Sequence, residues 1–287
     1  MSIRPRRSVL YMPGSNARAL DKARTLPADA LILDLEDAVS PDAKELARCQ
    51  VAEAVTQGGY GRREVLVRVN GLATAWGMDD LTVVAELPID GIVFPKIETP
   101  EQVFEAVAAV DRIRGSTDVG IWIMAETPRC MFRIHEIAAV HSRLTGIIMG
   151  TSDLAKEMRV RHTPARTGLL APLSLCVLAA RANSRSIIDG VHLDLNDEAG
   201  FRAVCEQGRD MGFDGKTLIH PKQIETANAV FAPSAEEIAH AREVLAAWEQ
   251  ARAEGKGVVV VSGRLVEELH VDEARRVLAL ATAIAES

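Results

Sequence analysis

Several features that mark common protein classes are missing from this sequence. Its four cysteines show no C-x-x-C spacing, which predicts reduced packing residues in a cytoplasmic protein. The apolar stretch after the arginines near the start is only a few residues long and contains Pro13 and Gly14, too short for a signal peptide or a membrane span. The net charge of -7 provides no basic excess and argues against a nucleic-acid binder. A small anionic ligand stays possible, because local basic clusters decide that.

Two phosphate-binding signatures are also missing. No Gly-x-Gly-x-x-Gly follows the first predicted strand, and no Walker-type loop occurs, so any phosphate site would depend on side-chain cations. What is present is an ordinary globular composition, with 48% hydrophobic and 25% charged residues over 287 positions. The even composition along the chain favours one large α/β domain.

Short β-rich runs alternate with amphipathic segments along most of the chain. This alternation is typical of repeated βα units and a parallel sheet. The predicted strands span residues 8–12, 30–35, 64–70, 91–97, 120–125, 146–150, 186–192 and 216–220. Helices are predicted from Pro41 to Val55 and from Pro100 to Ile113, the second with Thr99 as N-cap and Gln102 three residues later. Eight units favour a (β/α)8 TIM barrel over residues 1–232, with an open doubly wound sheet as the alternative.

Residues 233–287 form an extension that a closed barrel does not need. The pattern predicts a helix over 235–253, a break at the Gly-Lys-Gly of 255–257, a strand over 258–261 and a last helix from Val271. Two interpretations stay open for this C-terminal extension. It is a stabilising cap or oligomer contact, or it is a lid that brings Glu267 or Glu268 over the barrel rim.

Acidic residues follow three of the predicted strands. Asp34, Glu36 and Asp37 end the second run, Glu126 ends the fifth, and Asp153 follows the sixth. The carboxyl ends of parallel strands meet at one rim, where like charges repel unless a cation neutralises them. Glu126 and Asp153 could supply two carboxylate ligands, a set that suits Mg²⁺ with waters and substrate oxygens in the other positions.

Cations reach the same predicted rim. Arg68 could act on the substrate, by holding a carboxylate or stabilising an enolate. It could also be a buried partner of Asp34 or Glu36, and the functional and structural roles do not exclude each other. Lys96 could form a Schiff base, but the nearby carboxylates should keep its pKa high, which favours an electrostatic role. The loop at 156–166 is basic, and two interpretations of it stay open. It is a solvated surface, or it forms a site for a phosphate-rich cofactor tail together with cations near the first strand, which include Arg7 and Lys22.

Ordered sequence strings identify a family resemblance over almost the whole chain. They are Arg-Ser-Val-Leu-Tyr-Met-Pro-Gly at 7–14, Asp-Leu-Glu-Asp-Ala-Val at 34–39, Val-Arg-Val-Asn at 67–70, Phe-Pro-Lys-Ile-Glu at 94–98, Ala-Glu-Thr-Pro at 125–128, Gly-Thr-Ser-Asp-Leu at 150–154 and Gly-Lys-Thr-Leu-Ile-His-Pro at 215–221. In this order and spacing the chain resembles the citrate lyase β-subunit-like branch of the HpcH/HpaI aldolase family, which includes malyl-CoA and citramalyl-CoA lyases.

The resemblance implies a fold, an assembly and a set of roles. It implies a (β/α)8 barrel that forms a homotrimer or hexamer with the active site at the subunit interface, acting on an acyl-CoA with Mg²⁺. Catalytic roles fall to Arg68, Glu267, Glu36 and Asp37, substrate binding to Arg7, Arg68, Lys96, Glu126 and Lys22, and metal ligation to Glu126 and Asp153. Glu36 and Asp37 would hold metal-bound waters. Glu267 would be the tail acid, one methylene longer than the Asp common in the family.

The implied reaction is the cleavage of a 3-hydroxyacyl-CoA thioester, of the malyl-CoA or citramalyl-CoA type, to acetyl-CoA and a 2-oxo acid. Two other reactions fit the same scaffold. One is hydrolysis of the thioester, with Glu267 aiming a water at the carbonyl. The other is that of a citrate lyase β subunit, which acts on a carrier-protein thioester.

Overall fold

Eight buried strands form the centre of the structure. They are β1 (Ser8–Pro13), β2 (Ala30–Asp34), β3 (Glu64–Arg68), β4 (Gly91–Phe94), β5 (Gly120–Ala125), β6 (Leu144–Met149), β7 (Ser186–Asp189) and β8 (Gly215–Leu218). The computed structural model describes residues 4–115 and 118–286. Within these ranges each strand pairs in parallel with the next, and β1 also pairs with β8, which closes the barrel. The predicted (β/α)8 barrel is confirmed.

Helices follow the strands along the chain. They are α1 (Ala17–Lys22), α2 (Lys44–Gln57), α3 (Gly77–Val84), α4 (Pro100–Arg114), α5 (Pro128–Ala139), α6 (Thr151–Met158), α7 (Leu170–Ala182), α8 (Glu198–Met211) and α9 (Ile224–Phe231). Thr99 caps α4 in a capping box with Gln102, as predicted. The helix predicted from Pro41 begins later, because Pro41–Ala43 form a 3₁₀ turn before α2.

Six of the eight strands end earlier than predicted, and β2 and β4 do so for clear local reasons. β2 stops at Asp34 because its carboxylate accepts hydrogen bonds from the backbone N–H groups of Glu36 and Ala38 and turns the chain. β4 stops at Phe94 because Pro95 has no N–H to give to a ladder. Lys96 then adopts a left-handed φ of 52°, which no residue in a strand can have.

One indole fills the amino-terminal half of the barrel interior. Trp122 on β5 is fully buried among inward-pointing aliphatic side chains of the other strands. Gly146 on β6 makes this possible, since a Cβ at that position would overlap the Trp122 ring. Below the indole, the guanidinium of Arg6 lies 5.0 Å from the ring centroid and pairs with Glu64. The amino-terminal end of the barrel is therefore closed.

The chain divides into two compact units, residues 6–228 and residues 4–5 with 229–286. The second unit contains α10 (Ala235–Ala253), β9 (Val259–Val261), β10 (Arg264–Val266) and α11 (Glu268–Ala285). The prediction for α10 is confirmed, whereas β10 was missed and α11 begins before Val271. β9 and β10 form an antiparallel hairpin through Ser262 and Gly263, both with positive φ. None of the helices within the described residues is both long enough and apolar enough to span a membrane.

Candidate active site

A cavity of about 300 Å³ opens at the carboxyl ends of the barrel strands. Residues from seven of the eight strands or the loops that follow them line it: Tyr11, Asp34, Asp37, Ala38, Arg68, Met124, Glu126, Met149, Gly150, Thr151, Ser152, Asp153, Val191, Thr217 and Ile219. The predicted rim therefore brings Asp34, Asp37, Arg68, Glu126 and Asp153 to one place.

Arg68 is bound by two carboxylates of the loop after β2. Its Nε and Nη2 donate to the two oxygens of Asp34, each at 2.7 Å, which is a bidentate pair. Its Nη1 lies 2.8 Å from Glu36 Oε2 and 3.6 Å from Asp37 Oδ2. A pairing of Arg68 with Asp34 or Glu36 was predicted, and the structure shows contacts with both, which fix the guanidinium beside the cavity.

Glu36 keeps an unused acceptor in this arrangement. Its Oε2 is buried and accepts no hydrogen bond from the described residues, because the N–H groups of Arg68 do not aim at it despite the short distance. Burial raises the pKa of Glu36 more than the positive charge of Arg68 lowers it. A buried carboxylate oxygen with a free lone pair suits a donor brought by a ligand, such as a metal-bound water.

A buried lysine that sequence reasoning missed supports the loop after β2 from behind. Lys44, at the start of α2, is 6% exposed, and its Nζ donates to the backbone carbonyls of Leu35 and Glu36 at 2.8 and 2.7 Å. A third bond goes to Asn70 Oδ1 at 2.8 Å, and Asn70 is bound in turn by Asp80. This network fixes the backbone from which Glu36 and Asp37 project.

We expect Lys44→Met to destabilise the protein by about 2 kcal/mol or more, because an unpaired buried carbonyl costs about 1–3 kcal/mol. Urea unfolding monitored by circular dichroism measures the change. Lys222→Met is the control, since Lys222 is exposed and its ammonium group forms no hydrogen bond or ion pair with the residues that the structure describes. Equal unfolding midpoints for the two variants would remove the supporting role of Lys44.

Glu126 is held in the rim by backbone geometry. It is 2% exposed, and its Oε1 accepts a 2.7 Å hydrogen bond from the backbone N–H of Lys96, which the left-handed turn at Lys96 aims at it. A Cβ at position 150 would collide with the Glu126 carboxylate, so Gly150 leaves the space that this carboxylate occupies. Burial, followed by the negative charge of Glu36, raises the pKa of Glu126 to about 7.

The Lys96 side chain lies among the rim carboxylates. Its Nζ is 3.7 Å from Glu36 Oε1 and 3.6 Å from Asp153 Oδ2. Burial alone would lower the pKa of Lys96, but Glu36, Asp153 and other acids outweigh it and raise the pKa. This direction confirms the sequence prediction and argues against a Schiff base, which needs a neutral amine.

The donor set fits a hard divalent cation. Glu126 and Asp153 supply carboxylate oxygens to the same cavity, Glu36 adds a buried oxygen with a free lone pair, and Lys96 shows that this space attracts positive charge. Among residues 4–115 and 118–286, no group of three or more His, Cys, Asp or Glu side chains could hold a metal without other ligands. Two carboxylates completed by water and substrate oxygens are what Mg²⁺ prefers.

Two predicted substrate-binding residues are not at this cavity. Arg7 precedes β1, at the amino-terminal end of the barrel, where its Nε and Nη2 donate to the two oxygens of Asp29 at 2.8 and 2.7 Å. The prediction for Arg7 is wrong, because a residue before a strand lies at the opposite end from the rim. Lys22 is the exposed last residue of α1, a helix that leads away from the rim, and it does not line the cavity. Its predicted role in substrate binding stays a prediction.

Glu267 lies in the second compact unit, where it precedes α11. It is exposed, and its backbone N–H donates to His270 Nδ1 at 3.0 Å. Its assignment as the tail acid stays a prediction.

A buried cluster of charges, also missed from the sequence, lies behind β7 and β8. Asp189 accepts from Lys216 Nζ at 2.7 Å and from Arg166 Nη1 at 2.7 and 2.8 Å. Arg166 ends the basic loop at 156–166, so this residue anchors the loop and is not available for a phosphate. The next strand residue, Thr217, lines the cavity and donates from Oγ1 to the backbone oxygen of Asp189.

A closed parallel barrel with carboxylates, an arginine and a lysine at its carboxyl rim is a (β/α)8 barrel protein whose site fits a metal and an anionic small molecule. Residues 7–221 match the HpcH/HpaI aldolase/citrate lyase family. The chain therefore belongs to this enzyme family.

Similar proteins have been named in several organisms. A "(3S)-malyl-CoA thioesterase" of Cereibacter sphaeroides strain KD131 is 53% identical over 281 residues, covering 98% of this chain and 96% of the relative. A "citrate lyase subunit beta" of Escherichia coli K12 is 38% identical over 97% of this chain and 94% of the relative. The crystal structure of protein CitE from Mycobacterium tuberculosis, in complex with magnesium, acetoacetate and coenzyme A, has a TM-score of 0.77 and 27% identity, and covers 98% of this chain and 100% of that chain.

Proposed function

We propose that this protein is an Mg²⁺-dependent thioesterase that hydrolyses a 3-hydroxyacyl-CoA of the malyl-CoA type. The observation that carries the proposal is the 53% identity, over nearly the full length of both chains, to a protein named for this activity. The cavity supports it, because it offers carboxylates for a hard cation beside a fixed arginine for an anionic oxygen. Hydrolysis adds water across the C–S bond and yields the free hydroxy acid and CoA.

The proposed mechanism assigns a role to each rim residue. Glu126 and Asp153 would hold Mg²⁺, which polarises substrate oxygens as a Lewis acid when it is bound. Arg68, fixed by Asp34, donates to the oxygen on which negative charge develops. Lys96, whose Nζ lies 3.6 Å from Asp153 Oδ2, adds positive charge beside the carboxylates of the rim. Glu36 and Asp37 orient waters beside the cation.

The tail acid Glu267 has the remaining role. A carboxylate is a suitable general base for the attacking water, and the family resemblance puts the acid of this position over the site of a neighbouring subunit. We assign the activation of water to Glu267 on that basis.

Carbon–carbon cleavage is the second candidate. The 38% identity to a citrate lyase subunit and the likeness to a CitE bound to acetoacetate and CoA favour it. The same rim could stabilise the enolate of an acetyl thioester beside Arg68, with a 2-oxo acid as the other product. Lyase and thioesterase differ in which bond breaks and not in which residues bind the substrate.

The deciding experiment is mass spectrometry of the thioesters after incubation of the purified chain with malyl-CoA and citramalyl-CoA, with Mg²⁺ or with EDTA. We expect free CoA and intact hydroxy acid, formed only with Mg²⁺. Acetyl-CoA with a 2-oxo acid would establish the lyase instead. Unchanged substrates would contradict both and favour a carrier-protein thioester.

We expect Glu126→Gln to weaken Mg²⁺ binding by about 100-fold or more. The amide keeps the shape but removes the negative charge, and loss of groups that only support a metal ligand already costs about 10- to 100-fold. Calorimetric titration with MgCl₂ measures the affinity without any substrate. Glu101→Gln, an exposed acid at the start of α4, is the control. Equal affinities for the two variants would exclude Glu126 as a ligand.

We further propose a cytoplasmic homotrimer or hexamer with its active site at a subunit interface. Exposed apolar side chains on the neighbouring helices α5 and α7 support an assembly: Phe132 is 89% and Leu178 67% exposed. All four cysteines are free thiols, which fits a reducing compartment. Light scattering on the protein as it elutes from a size-exclusion column measures the number of subunits, and a monomer would contradict the proposal.

A further inference from the structure

Tyr11 lines the cavity but has no role in the mechanism above. It lies on β1 beside Arg68, Met124 and Thr217 in the cavity lining. Within the part of the chain that the structure describes, its hydroxyl has one hydrogen-bond partner, the Sδ atom of Met124 at 3.4 Å. A thioether is a weak acceptor, so this contact leaves most of the donor strength of a phenol unused.

The position of the Tyr11 hydroxyl is fixed by its neighbours. The guanidinium carbon of Arg68 lies 4.9 Å from the centroid of the Tyr11 ring, a cation–π contact, and Asp34 holds the same guanidinium through its Nε and Nη2 atoms. Met124 precedes Glu126 by two residues, so its side chain points to the same interior side one layer deeper. The hydroxyl therefore contacts a side chain that lies one layer deeper in the barrel than Glu126.

The phenol remains protonated under working conditions. Burial raises the pKa of Tyr11 more than the neighbouring Arg68 lowers it, and the rim carboxylates act in the same direction as burial. A neutral phenol is a donor, and the one acceptor that its hydroxyl has within the described residues, the Met124 thioether, is a weak one. An oxygen atom of a bound molecule would be the better partner.

We propose that the Tyr11 hydroxyl donates a hydrogen bond to the deepest oxygen of the acyl group that binds beside Arg68. This inference rests on the proposed function and adds a substrate-contacting residue to it. The ring packs against Arg68, and the hydroxyl binds the acyl group by a hydrogen bond. The two roles separate in Tyr11→Phe, which keeps the ring and removes one oxygen.

The chain offers a matched control, because it contains only two tyrosines. Tyr60 also has an arginine over its ring, with the guanidinium carbon of Arg24 at 5.2 Å from the centroid. Its hydroxyl, however, donates to the backbone oxygen of Leu20 at 3.3 Å, and Tyr60 does not line the cavity. Tyr60→Phe thus removes the same atom from a similar ring outside the site.

In the malyl-CoA assay, we expect Tyr11→Phe to raise KM or lower kcat so that kcat/KM falls at least about tenfold, as expected for a lost hydrogen bond to a charged or charge-developing oxygen. Tyr60→Phe is expected to keep the wild-type value. Thermal unfolding of both variants checks that the fold is intact. Equal kcat/KM for Tyr11→Phe and wild type would overturn the inference.

A second readout uses the wild-type side chains. In protein labelled with [ζ-¹³C]tyrosine, two resonances are expected, and each Phe variant assigns one by deleting it. Addition of malate with Mg²⁺ should shift the Tyr11 resonance and leave the Tyr60 resonance in place. If calorimetry shows that malate binds while the Tyr11 resonance stays unchanged, the inference is overturned. If wild type neither binds malate nor turns over malyl-CoA, the proposed substrate is wrong and the inference fails with it.

Discussion

Arg68→Ala is expected to lower kcat/KM for the thioester by about 100- to 1000-fold, the usual cost of losing one preorganised donor to a developing negative charge. The reason is geometric, because Asp34 fixes the guanidinium beside the cavity and a water in its place would not be fixed. Steady-state kinetics over a range of thioester concentrations measures the change.

The same substitution also leaves Asp34 buried without its partner, so stability and activity have to be separated. Arg7→Ala provides the comparison, since Arg7 forms an equivalent bidentate pair with Asp29 at the other end of the barrel. Both variants should lose stability in thermal unfolding, but Arg7→Ala should keep its activity. Near-normal kinetics for Arg68→Ala would remove Arg68 from the mechanism, and a large loss for Arg7→Ala would restore Arg7 as a binding residue.

Asp189→Asn is expected to lower the free energy of unfolding by about 3–5 kcal/mol at pH 7, because it leaves two buried cations without their counter-charge. Asp189 is fully buried, and Lys216 is 1% exposed. Urea unfolding at pH 7 measures the difference. The control is Asp210→Asn, whose carboxylate forms an exposed pair with Arg209 and should contribute less than about 1 kcal/mol.

The loss in Asp189→Asn should depend on pH in a defined direction. Burial would raise the pKa of Asp189, but Lys216 and Arg166 outweigh it, so the pKa in the folded protein is lowered. The ionised carboxylate therefore stabilises the folded protein at any pH above about 4, the pKa of an aspartate in the unfolded chain. This stabilisation is lost as the pH falls from there through the lower pKa of Asp189 in the folded protein. The difference in the free energy of unfolding between wild type and Asp189→Asn should therefore become smaller below about pH 4. An equal gap at pH 7 and pH 3 would contradict this assignment.

The barrel could be predicted from the sequence because most of its strands are short apolar runs that recur between longer amphipathic segments, and runs this short are typical of strands buried on both faces. The rim acids and Arg68 could be predicted for the same reason, since they follow directly where those runs stop. Pro95, which ends β4, is visible in the sequence, but the left-handed turn at Lys96 is not, because a lysine with positive φ has no sequence signal. That one backbone angle aims an N–H group at Glu126 and so completes the site.

The buried cations were missed for a different reason. Lys44 begins a helix and Lys216 lies within a four-residue strand, and a lysine in either place is normally solvated. Only the three-dimensional structure shows that carbonyl groups and Asp189 surround their ammonium groups. The error at Arg7 was avoidable, since chain direction alone separates the residue before a strand from the residue after it.

The indole of Trp122 has a kinetic consequence. Trp122 fills the barrel interior on the amino-terminal side of the cavity, so a molecule that lies deepest can leave only toward the rim, after the molecule above it. If the acyl group sits on the floor and CoA lies toward the mouth, CoA departs first and the hydroxy acid second. The free acid would then compete with the thioester for the empty protein, whereas CoA would not. The pattern of product inhibition therefore shows which end of the substrate lies deepest in the cavity.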